Sequence, residues 1–392
     1  MKSKYLFLVV LLTLSCKSQD NTLYEIDPRN FIDNKITLAE IADDITYIPL
    51  DNNIPIGLLY NLKITPGNIY LSIKDVGIVK FDRSGKLICK IGKRGRGPGE
   101  YYYFMDFTVD EITGNVFVMD KSVIKVYSKT GHFVRDINYN EYLSNMGGDI
   151  EIFNSLLFIP DYIQYGKSKF NWVILDTLGN LVSMKDNSVP PFSINQVIPG
   201  KIYKFEDILF YFNALNDTIF SISTDLKYKG AYLFSQGDFR WPREDYEFRS
   251  PTQVYDFFKP VKMFETNHFI FLAYSYLDKA AISLIEKKTK KIFNSYKYDK
   301  IAGMVKTRAL ILNDLDGGMP LSTTPIINYY EENDSEYIAT IINPFDLKVY
   351  LSTDEFKNSV SKYPEKKKNL EKLVNSLKET DNPVLMIAKL KK

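Results

Sequence analysis

Cysteine and histidine are nearly missing from this 392-residue sequence, which has two of each. Two cysteines cannot build a disulfide framework. The histidines, His132 and His268, form no H-E-x-x-H zinc pattern, and no G-x-S-x-G nucleophile elbow is present. Net charge is also lacking, with 50 basic against 48 acidic residues. No overall field therefore draws the chain to nucleic acid or to an anionic membrane. Long apolar runs are absent except for Tyr5 to Leu14, which is shorter than the roughly 20 residues a membrane-spanning helix needs. What is abundant is aromatic: 28 tyrosines and 26 phenylalanines. Such residues suit pleated, half-buried surfaces and point to an all-β fold. The length exceeds the usual single core, so the chain needs two domains or a repeat.

The N-terminus reads Met1-Lys2-Ser3-Lys4, an apolar run, then Ser15-Cys16. A basic start before a short apolar segment is a secretory signal, here residues 1–15. Leu12-Thr13-Leu14-Ser15-Cys16 resembles the lipobox of bacterial lipoproteins, with Thr13 in place of the usual aliphatic residue. The resemblance implies acylation of Cys16 and a polar tether over 16–44. It places the protein on a membrane surface of the cell envelope, on the periplasmic or outer side. Loss of the signal, with Lys2 and Lys4, leaves 48 residues of each charge. Cys89, in Leu87-Ile88-Cys89, then has no partner and is expected to be a buried small hydrophobe.

A repeat organises the remainder. Gly67-Asn68-Ile69-Tyr70-Leu71-Ser72 with Gly77 to Leu87 returns as Gly114-Asn115-Val116-Phe117-Val118-Met119 with Val123 to Phe133. Each copy is an alternating strand, a break, a second strand, a glycine turn and a third strand. Further copies include Leu156 to Ile159 with Val173 to Leu181, and Ile208 to Tyr211 with Asp217 to Ile222, the last without the glycine. The residues Phe81, Tyr127, Leu175 and Ile222 are spaced by 46, 48 and 47. A fifth copy fits Phe269 to Leu272 with Ala281 to Ile285. A sixth fits Pro325 to Tyr329 with Tyr337 to Ile341. About 45 residues per four-stranded unit is β-propeller spacing, and a β-sandwich predicts no such period. The spacing predicts a six-bladed propeller over 45–392. Ile45 to Leu50 and a strand at about 383–390 are expected to meet in one composite blade. Between them, about 354–379 reads as an amphipathic helix through Leu370, Leu373, Val374 and Leu377, capped by Thr353-Asp354 and broken at Pro364.

Ile91-Gly92-Lys93-Arg94-Gly95-Arg96-Gly97-Pro98-Gly99-Glu100-Tyr101, following the F-D-x-x-G hairpin of Phe81 to Gly85, resembles the six-bladed β-propeller lipoproteins of Bacteroidota. These are distantly similar to NHL-repeat propellers. Asn216 to Phe220, Asn313 to Gly318 and Asn382-Pro383-Val384-Leu385 resemble the same family. The resemblance covers the chain from about Ile45 and implies the fold and export, but no activity.

Two segments stand out as candidate ligand surfaces. The loop Gly92 to Tyr103 sets Arg94 and Arg96 beside Tyr101 and Tyr102. Arginines with glycine-rich amides suit carboxylate or phosphate, and the competing reading is a blade connector with Glu100 paired to an arginine. The step from Ile222 to Ile285 is 63 residues, which marks an insertion at Gly237 to Phe258. Long loops are often functional, and this one carries Arg240, Trp241, Arg243 and Tyr246, residue types that favour recognition. Its competing reading is a buried lid. Asn313 to Gly318 lacks calcium-loop spacing and reads as a turn, and Lys366-Lys367-Lys368 reads as a solvated helix face. No catalytic residue, cofactor or metal ligand is legible. The expectation is a monomeric envelope binding or scaffolding module for a glycan, a peptide or an envelope protein. The alternative is a polysaccharide hydrolase or lyase using carboxylates at the central channel.

Overall fold

The computed structural model describes residues 23–121, 123–139, 142, 148–164, 166–298, 307–322 and 327–392. Cys16, the signal segment, Pro325 and Ile326 lie outside them. Six antiparallel sheets of four main strands succeed one another along the chain. Blade 1 comprises Leu59–Ile64, Asn68–Ile73, Gly77–Asp82 and Leu87–Ile91, in that order. Blade 2 runs from Phe104 to Asn138, blade 3 from Glu151 to Asp186, blade 4 from Lys201 to Phe234 and blade 5 from Lys259 to Ser295. Blade 6 is composite: Ile327–Glu332, Ser335–Ile342 and Val384–Leu390 are closed by Ala42–Pro49. The expected meeting of the early and final strands is therefore the ring closure, with Thr46 opposite Ile387 and Ile48 opposite Leu385. One further strand was not legible. Tyr24–Ile26, in the expected tether, adds in parallel to the outer edge of blade 4.

The apolar strands bury both faces because each blade packs on its neighbours. Tyr70, Ile78 and Ile91 of blade 1 meet Phe107, Val116 and Val118 of blade 2 in one core. Leu62, Leu71 and Phe81 meet Leu385 and Ile387 across the closing seam. Full burial of each such side chain stabilises by about 1.5–3 kcal/mol. Cys89 is half-buried at the first of these seams.

The repeated turn has a physical reason. Asp82, Ser128, Asp176 and Ser223 each donate their N–H to the carbonyl four residues on, at 2.8–2.9 Å. Gly85 and Gly131 hold φ near +88° and +87° in these turns. A Cβ on Gly85 would lie 2.3 Å from the Pro49 carbonyl oxygen, and one on Gly131 would lie 2.0 Å from that of Lys90. Each turn thus presses on the outer strand of the preceding blade, where only glycine combines the turn with the close approach. In the fourth copy Leu226 takes the positive φ, at +63°.

The helical segment between the last two strands is longer than expected. Pro344–Ser352 and Asp354–Lys357 precede Pro364–Ser376. Thr353 Oγ1 accepts from Phe356 N–H at 3.3 Å, and the predicted stretch 354–379 is in two pieces as expected, with Pro364 at the start of the second. Leu370 and Val374 are buried, with Leu373 and Leu377 packed beside them. The lysine run is only partly solvated. Lys366 donates to the Ile45 carbonyl, and Lys367 donates to those of Phe356 and Ser359.

Candidate ligand site at the channel mouth

The first strand of every blade faces a common axis. Each of these strands carries a charged or amide residue: Asn61 and Lys63, Asp106, Glu151, Lys201 and Lys204, Lys262, and Asn328. All of them line a cavity of about 560 Å³, completed by Asp149, which opens at the face where the first strands begin. We call that the upper face. A second cavity of about 600 Å³ opens at the lower face. Lys63, Glu151, Lys204, Asn328 and Tyr329 line both, so they form the waist of the channel.

At the waist, Glu151 receives the Lys63 ammonium at 2.8 Å, the Lys204 ammonium at 3.4 Å and the Thr108 hydroxyl at 2.9 Å. Burial pushes this carboxyl up, but Lys204 and Lys63 outweigh it and hold it at about 2. Asp106 accepts from Asn61 Nδ2 at 2.6 Å and from Ile150 N–H at 3.2 Å. Burial raises it to about 6, with Lys63 opposing and Asp149 adding. Asp149 is paired to Lys201 at 2.9 Å. Lys262 is different. Its ammonium donates to the Ile327 carbonyl, and among the described residues it forms no salt bridge to a carboxylate. Burial lowers it to about 8, reinforced by Lys201 and Lys63 and opposed by Asp149 and Asp106. Asn328 contributes a buried Oδ1 without a hydrogen-bond partner among the described residues. The upper mouth therefore holds a cation that lacks an anion, next to carboxylates that can accept hydrogen bonds.

The residues expected to form ligand surfaces are divided. The loop Gly92 to Tyr103 is the connector between blades 1 and 2, on the upper face beside the channel. Arg94 is paired to Asp75, and Arg96 lies over the Tyr102 ring at 4.4 Å; all four side chains reach solvent. Glu100 pairs with Lys93, at 3.4 Å, and not with an arginine. Tyr101 is buried, its hydroxyl accepting from Ile78 N–H at 2.8 Å and donating to the Ile91 carbonyl at 3.1 Å. It is a structural peg, since its ring also fills the space under Gly92.

The insertion is a folded appendage. Trp241, Phe248, Tyr246 and Phe257 pack with Ile163, Phe192, Ile194 and Leu215. Arg240 is buried and donates to the carbonyls of Ala214 and Asn216, both at 3.0 Å. Arg240 and Arg243 share Asp217. Tyr246 is half-buried, and its N–H donates to the Ser193 carbonyl at 2.8 Å. None of these four lines the channel. The turn Asn313 to Gly318 is self-bonded, with Asp316 Oδ1 accepting from Asn313 Nδ2 at 2.7 Å and from Gly318 N–H at 2.9 Å.

Sequence reasoning missed the channel residues, since they lie one blade apart. Their signal is a charged residue inside a short apolar strand just before each repeat.

Among solved structures, the chain is similar to a Bacteroides fragilis protein described as exported. The two share 16% identity, 95% of this chain and 100% of that one are covered, and the TM-score is 0.66. A member of the DUF4221 family from Bacteroides vulgatus matches at 11% identity and TM-score 0.47, over 90% and 98% of the two chains. The virginiamycin B lyase of Staphylococcus aureus matches at 10% and 0.45, over 88% and 99%. The first likeness shows the fold, and the other two are too distant to bear on activity. No curated protein matches the sequence. Residues 23–389 match the family described as a domain of unknown function, DUF4934, and the chain belongs to that family.

Proposed function

We propose that this protein is an exported, lipid-anchored binding module of the cell envelope that takes its ligand at the upper channel mouth. One observation carries the reading: Lys262 presents an ammonium inside a cavity, with a backbone carbonyl but, among the described residues, no carboxylate in salt-bridge contact. A half-buried cation without a directly paired anion is costly, and an anionic group of a ligand would complete it. Lys201 lies in the same mouth, and Asp106 and Asp149 offer acceptors for hydroxyl or amide donors. Concave sites with a few convergent polar groups are the usual form of ligand pockets. Export is supported by the N-terminal signal and by the exported relative. The anchor rests on Cys16, where several acyl chains would hold the chain at a membrane surface.

The test is an array of carboxylated, sulfated, phosphorylated and neutral glycans and peptides, probed with the mature protein and with Lys201→Met/Lys262→Met. Binding to an anionic class, lost in the double variant, is expected. Binding unaffected by both substitutions, or confined to neutral ligands, contradicts the reading. For the anchor, Cys16→Ala should move the protein from the membrane fraction to the soluble one, and continued membrane association refutes it. A hydrolase or lyase reading draws on Asp106, a carboxyl poised near neutrality in the cavity. Its neighbours Asp149 and Glu151 are committed to lysines, so binding without turnover of the bound glycan is the expected result.

A further inference from the structure

Beside the channel mouth lies a hollow of about 430 Å³ between blades 1 and 2, and Tyr60 and Met105 border both spaces. Its walls are aromatic. Tyr60 and Tyr103 are 52% and 54% exposed, far more than packing requires of such rings. They are nevertheless braced. Tyr60 stacks on Phe104, with centroids 6.3 Å apart and planes 18° from parallel. Tyr103 packs against the edge of Tyr102, with centroids 4.8 Å apart and planes at 87°, and the Asp120 carboxylate fixes their backbone by accepting both N–H groups, at 3.1 and 2.6 Å. Rings held this way bind with little loss of conformational freedom.

Two atoms point to a hydrogen-bonding occupant. Ser72, which lines the hollow, is 1% exposed, and its Oγ has no hydrogen-bond partner among the described residues. Asn328, half-buried at the base of the mouth, has an Oδ1 that likewise lacks one among the described residues. A buried polar atom left unpaired costs about 1–3 kcal/mol, and here each one borders an open cavity.

We infer that the mouth and the hollow are one extended site for an acidic oligosaccharide built from uronic acids. The inference rests on the binding reading above and names its ligand class. Sugar rings present flat C–H faces, which suit the negative faces of Tyr60 and Tyr103. Their carboxylates meet Lys201 and Lys262, and their hydroxyls donate to Asp106, Asp149 and Asn328. The acceptors in the lining select against the alternatives. A DNA strand carries one charge per unit, as an oligouronate does, but has no array of sugar hydroxyls to donate to Asp106 and Asp149. An acidic peptide brings carboxylates but no array of hydroxyls for the acceptors.

The test is calorimetric titration of the full mature chain at low salt with oligogalacturonates of one to six units. Neutral oligogalactose, oligo-dT and oligoglutamate of matched length are the comparators. Oligogalacturonate should bind best, with affinity rising at least tenfold from dimer to tetramer. Tyr103→Ala, which lies in the hollow and outside the mouth, should abolish that rise and leave dimer binding intact. Ser72→Ala should weaken the tetramer without lowering the melting temperature, which a purely structural serine would not do. Length-independent affinity with the tyrosine variant unchanged overturns the inference, as does absent oligogalacturonate binding or tighter binding of a comparator. In the first of these cases, loss of binding in Lys201→Met/Lys262→Met keeps the mouth as the site. Wild-type affinity in that variant removes the binding reading itself.

Discussion

Replacing Lys262 by methionine should stabilise the protein while removing its ligand affinity. The side chain keeps its length and loses its charge. In the folded state burial lowers this amine from 10.5 to about 8. At about 1.36 kcal/mol per pKa unit, the charged form carries a penalty of about 3 kcal/mol at neutral pH. The substitution also loses the bond to the Ile327 carbonyl, which contributes about 1 kcal/mol. A net gain of about 1–2 kcal/mol remains, or about 2–5 °C in Tm. The pH dependence identifies the cause. A cation with a depressed folded pKa is destabilising wherever it must be charged, so the penalty is complete below 8 and absent above 10.5. The variant's advantage should therefore be full at pH 7 and fade towards pH 10. Thermal or urea unfolding of both proteins across that range measures it. A variant less stable than wild type at pH 7, or a gain that does not change with pH, refutes the reasoning.

Asp106 titrates with the opposite consequence. Its folded pKa, about 6, lies above the unfolded value of 3.8, so protonation favours the folded state. Stability should rise by about 1 kcal/mol between pH 7 and 5, and it should decline below 4.5 as Glu151, held at about 2, loses its pairing. Urea midpoints across that range should show the rise in wild type and its absence in Asp106→Asn. Asp217→Ala removes the carboxylate partner of the buried Arg240 and should cost about 3 kcal/mol in denaturant unfolding. Trp241→Ala empties the centre of the appendage core. It should cost about 3–5 kcal/mol and leave affinity at the channel mouth unchanged in titration; lost affinity at full stability would make Trp241 a ligand residue.

The ring was legible because a propeller repeats its physics. The interval between Phe81, Tyr127, Leu175 and Ile222 marks one position, the last buried residue before a turn that presses on the preceding blade. Residues of opposite ends could be joined, as Ile48 with Leu385, since closure needs one last strand and Val384–Leu390 reads as apolar. The site was illegible for the same geometric reason. Lys63, Asp106, Glu151 and Lys262 come from different blades, and no local spacing records that they converge. The arginine and tryptophan of the insertion misled in the other direction. Arg240 and Trp241 have the composition of a recognition surface, but long loops can bury such residues to hold themselves in place. Tyr101 misled likewise, since a tyrosine in a glycine-rich loop serves equally as a peg. Tyr24–Ile26 was missed because a three-residue edge strand carries no periodicity of its own.

The claim that the upper channel mouth is the ligand site is tested most directly by hydrogen exchange with and without saturating oligogalacturonate. Protection is predicted in the first strands, over 59–64, 104–106, 149–151 and 259–262, and in the loop 101–104. Protection confined to the lower face, over 110–112 and 206–207, or to the appendage at 237–258, would contradict it.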